Sequence, residues 1–416
     1  MSHFSALTLL RHGLSRHQGW QPFWRTPAPK PHYDAVIIGA GGHGLATAYY
    51  LARNHGIRNV AVIEKGWLGG GNTGRNTTAI RSNYFYPEST AFFDFSLRLY
   101  EGLSRDLNIN LMFSQRGMLT LAHSAHEMEG LARWGNAMQM NGVDSELLTP
   151  GQIAKMVPLL NMGPNARYPV VGGFLQRRGG VARHDTVAWG YARAADALGV
   201  DIIQQCEVTG YRIKGGRILG VETTKGFIGA GTVGIAVAGH SSHMAEKAGF
   251  RLPIESRALQ AFVSEPIKPV LDTVLLSPVI HSYISQSDKG ELVIGGAADM
   301  YPSYAQRGAF PTIEHTTAAI VELFPSFGRL RLMRQWAGIV DITPDTSPII
   351  DKTPVDGLYL NGGWGTGGFK AIPAGGWTFA HLIATGTSHP HAAPFNMGRF
   401  TSGALVNEGA ASGVAH

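Results

Sequence analysis

DAVIIGAGGHGLATAYYLARNHGIRNVAVIEKG, residues 34–66, opens with a short apolar run, Ala35 to Ile38, whose β-branched character fits a buried parallel strand. The run leads into Gly39, Gly41 and Gly44 in GxGxxG spacing, with Gly42 between them. Leu45, Ala48, Tyr49 and Ala52 then recur at helical spacing until His55-Gly56 stops the helix. Val60 to Ile63 makes a second apolar strand, ending on Glu64-Lys65. Strand, glycines, helix, strand and acid in this order make a dinucleotide fingerprint. Gly39 permits the tight turn, Gly41 lets a pyrophosphate approach the backbone, and Gly44 lets the helix pack on the strand. The helix N-terminus offers free N–H groups to the phosphates. Glu64, 20 residues beyond Gly44, is placed to accept from a ribose hydroxyl, and its charge disfavours the 2′-phosphate of NADP.

Working outward, 416 residues suffice for two domains and a large core. Glycine is abundant, 54 of 416, without a short repeat, which suits tight turns and close backbone approaches at a cofactor. A single cysteine, Cys206, excludes an internal disulfide and any CxxC metal or redox site, so no metal site is expected and a reducing, cytoplasmic setting is inferred. The net charge of +6 comes from scattered Lys and Arg with no nucleic-acid module, which favours anionic cofactors and substrates over nucleic acid. No run of eighteen apolar residues exists, so no membrane span is expected. Residues 1–30 read either as an extended arm, with Trp20, Phe23 and Trp24 as anchors, or as a disordered tail.

After the fingerprint, Trp67 to Tyr86 is dense in Gly, Asn and Thr, as in a loop wrapped around a ligand. Arg81 stands there between Ile80 and the aromatic pair Tyr84-Phe85, where an unpaired guanidinium is costly. Its partner is either a substrate carboxylate or a protein carboxylate. A helix at Ala91–Leu107, a strand at Phe113–Ala122, a helix at Glu127–Met140 and a short helix capped by Thr149-Pro150 carry no fingerprint and look like part of an inserted second domain. In GGFLQRRGGVARHDTVAWG, Asp185 or Thr186 is expected to cap a helix, leaving His184 just before its N-terminus with Arg177, Arg178 and Arg183 around it. Such a histidine is held neutral and nucleophilic, and the basic helix end suits a phosphate; the alternative is a surface histidine on a basic loop. Short strands follow Gly199 and return the chain to the nucleotide domain, where the backbone at Glu207-Val208 borders an adenine.

Further strands and a helix at Glu314–Leu323 supply the rest of the second domain. Leu358–Asn361 then reads as a strand that leads into GGWGTGGFK. This loop holds Gly363, Gly365, Thr366, Gly367, Gly368 and Lys370 ahead of a helix that Pro373 begins and Gly386 ends. Glycines before a helix set N–H groups and the positive dipole end against a flat, electron-rich partner such as a flavin edge. Lys370 is placed as a cation at the mouth of that pocket, with solvent as the alternative.

Together the fingerprint, the GGWGTGGFK loop and GGVARHD resemble the D-amino-acid-oxidase-like family of FAD-dependent amine oxidases, and within it the β subunits of heterotetrameric sarcosine oxidases. The resemblance runs from about Lys30 to the C-terminus. It implies an α/β plus α+β fold, a Rossmann-like FAD-binding domain with an inserted antiparallel-sheet substrate domain. The implied division is an arm at 1–30, FAD-binding segments at 31–90, 166–250 and 336–416 with the tail, and substrate segments at 91–165 and 251–335.

The same resemblance implies noncovalent FAD held by Gly39, Gly41, Gly42, Gly44, Glu64, Lys65, Val208 and the 363–370 loop. It implies Arg81 and Lys370 on the substrate carboxylate, and a second flavin, FMN, covalently attached at His184 with Arg183 towards its phosphate. Partners follow as α, γ and δ subunits, with NAD on α, zinc on δ, FMN at the α/β interface, and tetrahydrofolate and O2 used by the complex. The implied activity is oxidative demethylation of sarcosine. Rival readings are a single-flavin glycine or D-amino-acid oxidase, an N-methyl amino acid dehydrogenase, and a non-catalytic nucleotide-binding subunit. Monomeric relatives link FAD to a cysteine near the segment written here as WAGIVDITPD, which has none. The N-terminal arm is longer and more aromatic than the family pattern.

Overall fold

The structure is a computed structural model and describes residues 5–20 and 22–408. Its first sheet orders Ile349–Lys352, Leu358–Gly362, Val233–Ile235, Ala35–Ile38, Val60–Ile63 and Asp201–Ile203 side by side. All neighbours pair in parallel except the edge strand Ile349–Lys352, which runs antiparallel to Leu358–Gly362. Ala35–Ile38 sits in the middle and every one of its residues is buried, which is why it reads as a continuous apolar run instead of an alternating one.

The fingerprint helix, Gly42–His55, covers this sheet and packs against Ile372–Thr385 and His184–Ala197. Its contact with Ile372–Thr385 depends on Gly376, where a Cβ would lie 2.4 Å from the Cβ of Ala46. That close approach fixes the glycine-rich loop, which precedes Ile372–Thr385, against the first turn of the fingerprint helix. Gly56 and Gly386 close their helices in the left-handed conformation, at φ +70° each, as the sequence spacing predicts. Phe92, Leu97 and Tyr100 of the helix Pro87–Asp106 lie in the same core as Phe379 and Leu382.

The second sheet has eight strands in the order Leu332–Ile342, Glu255–Pro266, Glu291–Ala298, Ser282–Gln286, Val274–Ser277, Met118–Ala122, Gly172–Gln176 and Glu146–Leu148. It is antiparallel as expected, apart from one parallel pair, Val274–Ser277 with Met118–Ala122. A small antiparallel sheet, Val208–Lys214, Arg217–Thr223 and Gly226–Gly229, turns at Gly215-Gly216 and before Gly226. The fold is thus a Rossmann-like domain joined to an antiparallel-sheet substrate domain.

Three local expectations are corrected. The strand expected over Phe113–Ala122, with its turn at Arg116-Gly117, has that turn, Gly117 at φ +86°, but is formed only at Met118–Ala122, and Ser114 bridges instead to Val181. The arm is neither extended nor shapeless at its start: Ala6–Leu14 is a helix, capped by the Ser5 hydroxyl on the Thr8 amide at 3.2 Å, with none of its residues buried. Trp20 is exposed and stacks on His12, while Trp24 packs on the main core and Arg25 and Lys30 tie the arm to Asp196 and Asp201 at 2.8 Å each. Finally, His184 is the first residue of its helix and Arg183 takes the cap position, so neither Asp185 nor Thr186 caps it. The Asp185 carboxylate instead receives the Arg183 guanidinium and the Thr186 amide. Among the described residues no helix is long and apolar enough to cross a membrane, and no cluster of three or more His, Cys, Asp or Glu could hold a metal ion.

Candidate active site

The three glycines of the fingerprint do different work. Gly39 turns at φ +104°, and a Cβ there would lie 2.4 Å from the Ala236 carbonyl oxygen. At Gly44 a Cβ would lie 1.9 Å from the Gly39 carbonyl oxygen, so only glycine lets the helix cross the strand end. Gly41 is the helix cap and carries no capping side chain. Thr73, from the loop after the second strand, donates nothing here but accepts the Gly42 amide at 2.9 Å. The helix end therefore faces a cavity with no side-chain cap on Gly41, which suits the holding of a pyrophosphate. Glu64 accepts the Ala40 amide at 3.0 Å and the Gly66 amide at 2.8 Å, which fixes its carboxylate at the strand end. Lys65 is exposed beside it, 3.3 Å from His240, whose pKa is pushed down to about 4 by burial and then by Lys65 and His243.

The glycine-rich loop faces the fingerprint across the same cavity. Gly363 and Gly365 have φ +71° and +49°, and both are pinned to Asp341 of the second sheet. The Gly363 amide donates to the Asp341 carboxylate, and the Gly365 amide to the Asp341 carbonyl at 2.8 Å. Burial raises the Asp341 pKa to about 7, opposed by these backbone donors. His43, inside the fingerprint itself, places Nε2 2.8 Å from the Gly368 carbonyl and stacks on Trp364 with ring centroids 4.5 Å apart. A carbonyl only accepts, so Nε2 carries the proton, and burial pushes the His43 pKa down to about 4. Asn72 locks the outer loop to the substrate sheet by accepting the Ile339 amide at 2.9 Å and donating to the Ile339 carbonyl at 2.5 Å.

Arg81 and Lys370 converge on one aromatic platform. Tyr84 stacks on Phe93 at 3.9 Å; the Arg81 guanidinium lies 4.7 Å from the Tyr84 ring centre and Lys370 Nζ 6.0 Å from it. Arg81 donates to the side-chain and backbone oxygens of Asn83 at 2.7 and 3.2 Å. Its backbone is held by Gln176, which accepts the Ser82 amide at 3.0 Å and donates to the Ser82 hydroxyl at 2.7 Å. Lys370 is 6% exposed, not at the pocket mouth as the sequence suggested, and donates to the Thr366 carbonyl at 3.0 Å. Burial first, and the Arg81 charge second, lower its pKa well below the ordinary lysine value. Among the described residues no carboxylate lies within ion-pair distance of either cation. Two cations on one aromatic ring, neither in an ion pair with a protein carboxylate among the described residues, have charge left for an anion.

One cavity of about 540 Å³ joins these parts. Gly39, Gly41, Gly42, Glu64, Lys65, Val208, Arg81, Gly365, Thr366, Gly368 and Lys370 line it. Gly44, Gly363 and Gly367 stand behind the wall and shape it. His184 and Arg183 are not part of the lining. Nor do Arg177 and Arg178 crowd His184, as the sequence suggested: Arg177 pairs with Glu146, and Arg178 with Asp94 and Glu101 at 3.0 and 2.9 Å. The His184 pKa is lowered as expected, but mainly by burial, with Asp185 opposing and Arg183 assisting. Sequence reasoning missed Asp341, Thr73 and Tyr84, whose roles come from contacts between distant segments; His43, in the fingerprint, was visible but had no assigned partner.

A family model described as FAD dependent oxidoreductase matches residues 34–382. The chain is 56% identical over 417 residues to the sarcosine oxidase subunit beta of Rhodobacter capsulatus, covering 100% of both chains. The chain belongs to the sarcosine oxidase subunit beta family of FAD-dependent oxidoreductases. A second such subunit, from Rhizobium meliloti, is 56% identical over 97% of each chain. Among solved structures, the chain is similar to the L-proline dehydrogenase of P. horikoshii, with TM-score 0.85 and 28% identity over 91% of this chain and 100% of that one. The cavity suits the cofactor of this family: a glycine turn that no side chain could occupy at one end, and amides and cations around a second glycine loop at the other.

Proposed function

We propose that this sarcosine oxidase β-family chain holds FAD noncovalently and oxidises sarcosine. The products are glycine, hydrogen peroxide and either formaldehyde or 5,10-methylenetetrahydrofolate. The observation that carries the reading is the pair Arg81 and Lys370, neither ion-paired with a carboxylate among the described residues, beside a glycine-rich loop on the cavity that begins at the dinucleotide fingerprint. Gly39, Gly41, Gly42 and Glu64 would hold the pyrophosphate and ribose, Lys65 and Val208 border the adenosine end, and Gly363 to Gly368 would cradle the isoalloxazine. When bound, FAD accepts two electrons from the substrate C–N unit. The residues of the chain supply position: Arg81 and Lys370 bind the carboxylate, and the stacked Tyr84 and Phe93 behind them hold the two cations in place. The amides of the loop favour negative charge developing beside them. No side-chain nucleophile is required.

The second flavin belongs to the same proposal. Burial lowers the His184 pKa, which favours its neutral form, and the residue opens a helix two residues after Ala182, whose amide donates to the carbonyl of the cavity-lining Thr78 at 3.2 Å. FMN attached there would lie near the cavity wall, at the interface with an α subunit, with γ and δ completing the assembly. Its phosphate would compete with Asp185 for Arg183. A flavin held there would supply one- and two-electron chemistry, with His184 as its attachment and Arg183 as the cation for its phosphate. A cytoplasmic setting is part of the same reading, from the reducing compartment that a single cysteine, Cys206, suggests. Two experiments test the reading. Anaerobic sarcosine should bleach the flavin absorbance of the purified enzyme, and acid-denatured protein should retain a flavin on the His184 peptide by mass spectrometry. A holoenzyme unresponsive to sarcosine sinks the first half, and a fully extractable flavin the second.

A further inference from the structure

The turn that carries Arg81 into the cavity leads directly into the helix Pro87–Asp106, whose cap residue, Tyr86, makes no side-chain capping bond. A helix of 20 residues presents unpaired N–H groups and a positive dipole end at this point. Facing this end, from 322 residues beyond Tyr86 in sequence, is Glu408, which takes the two backbone amides that lead into the helix. One of its carboxylate oxygens accepts the Phe85 amide at 2.6 Å and the other accepts the Tyr86 amide at 3.3 Å, with the Ser89 hydroxyl assisting. Glu408 is 5% exposed, an unusual place for a carboxylate that has no ion pair among the described residues and feels Arg81 only at longer range.

The segment that delivers it is anchored as firmly. Arg399, 1% exposed, donates to both oxygens of Asp345 at 2.7 and 2.9 Å, a buried bidentate pair. The same carboxylate accepts the Val406 amide at 3.2 Å, and the Ser347 hydroxyl donates to the Val406 carbonyl at 2.6 Å. Asp345 lies four residues beyond Asp341, which holds the glycine-rich loop. One short stretch of wall therefore holds both the flavin-facing loop and the last described residues of the chain. Tyr84 is caught between them, its carbonyl accepting from Thr90 at 2.9 Å and its ring beneath Arg81.

We propose that the segment Arg399–Glu408 is a strap that sets the substrate-carboxylate site, with Glu408 as a positioning residue for the turn from Arg81 to Tyr86. This rests on the reading of Arg81 as a carboxylate anchor. Glu408 touches neither substrate nor cofactor; it fixes two backbone amides, which fix Tyr84, which sets the guanidinium. A displacement of about 1 Å at such a group costs on the order of 100-fold when geometry carries the binding.

The test is steady-state kinetics of the holoenzyme, purified with its partner subunits, as wild type and as Glu408→Ala, Glu408→Gln and Arg81→Ala. The strap predicts at least a tenfold rise in KM for Glu408→Ala, kcat within twofold, and unchanged FAD content by visible absorbance. Glu408→Gln, which keeps the shape and one acceptor oxygen, should fall between it and wild type. A KM for Glu408→Ala within twofold of wild type, while Arg81→Ala raises KM, overturns the strap and leaves the Arg81 reading standing. Equal loss of FAD content, kcat and affinity in both Glu408 variants also overturns it, since that marks general damage. No effect of Arg81→Ala on KM removes the reading on which the strap rests.

Discussion

Lys370→Met should make the protein more stable and the enzyme worse. In the free protein Lys370 is 6% exposed, makes one hydrogen bond, to the Thr366 carbonyl, and faces the like charge of Arg81. Its pKa is lowered well below the ordinary lysine value, by burial first. A lysine of this kind binds its proton less readily folded than unfolded. It therefore costs stability at low and neutral pH, and the cost fades as pH rises towards the unfolded pKa of about 10.4. Methionine can take the place of the Lys370 stem beside the stacked Tyr84 and Phe93 rings and removes the poorly satisfied cation, a relief of about 1–3 kcal/mol. At ~2–4 °C per kcal/mol for domains of ordinary size, the melting temperature should rise by a few degrees.

Carboxylate binding should move the other way. Losing one charge-assisted bond costs about 1.5–3 kcal/mol, or roughly 10- to 150-fold in Kd. Both effects can be read on one preparation: thermal unfolding followed by fluorescence across pH 6 to 10, and acetate titrated against the visible flavin spectrum. The stability gain should shrink towards pH 10. A variant that melts lower than wild type at pH 7, or binds acetate equally well, would falsify the assignment of Lys370 as a strained, ligand-directed cation.

Gly44→Ala should abolish FAD retention and destabilise the fold by several kcal/mol, because its Cβ would lie 1.9 Å from the Gly39 carbonyl oxygen; normal flavin content after gel filtration would contradict this. Asp341 binds its proton more tightly folded than unfolded, its pKa being about 7, so its contribution to stability is full below about pH 4 and is lost as pH rises towards 7. Asp341→Asn should flatten that part of the stability curve, a change of up to about 4 kcal/mol, and an unaltered slope in denaturant melts between pH 4 and 8 would exclude it. His184→Asn should leave FAD reduction by sarcosine intact but slow reoxidation by O2. Equal reoxidation rates by stopped flow would show that no electron route passes through that residue.

The sequence alone determined the local grammar: a strand that is apolar throughout, glycines where side chains are forbidden, helices that stop at Gly56 and Gly386, and a second glycine loop before a helix. These are legible because they depend on neighbouring residues, on φ, on periodicity and on the space a Cβ needs. It also brought forward Arg81 and Lys370, but not the burial of Lys370, their shared ring or, among the described residues, their lack of an ion pair, since each depends on residues far apart in the chain. The sequence put three arginines around His184; two of them turn to carboxylates on other elements, because an ion pair is chosen by three-dimensional proximity. Asp341 and Glu408 carried no signal at all, being single acids without a motif. Only the tertiary structure decides that one holds a loop and the other a helix end, because the amides they satisfy are supplied by backbone that sequence patterns do not reveal.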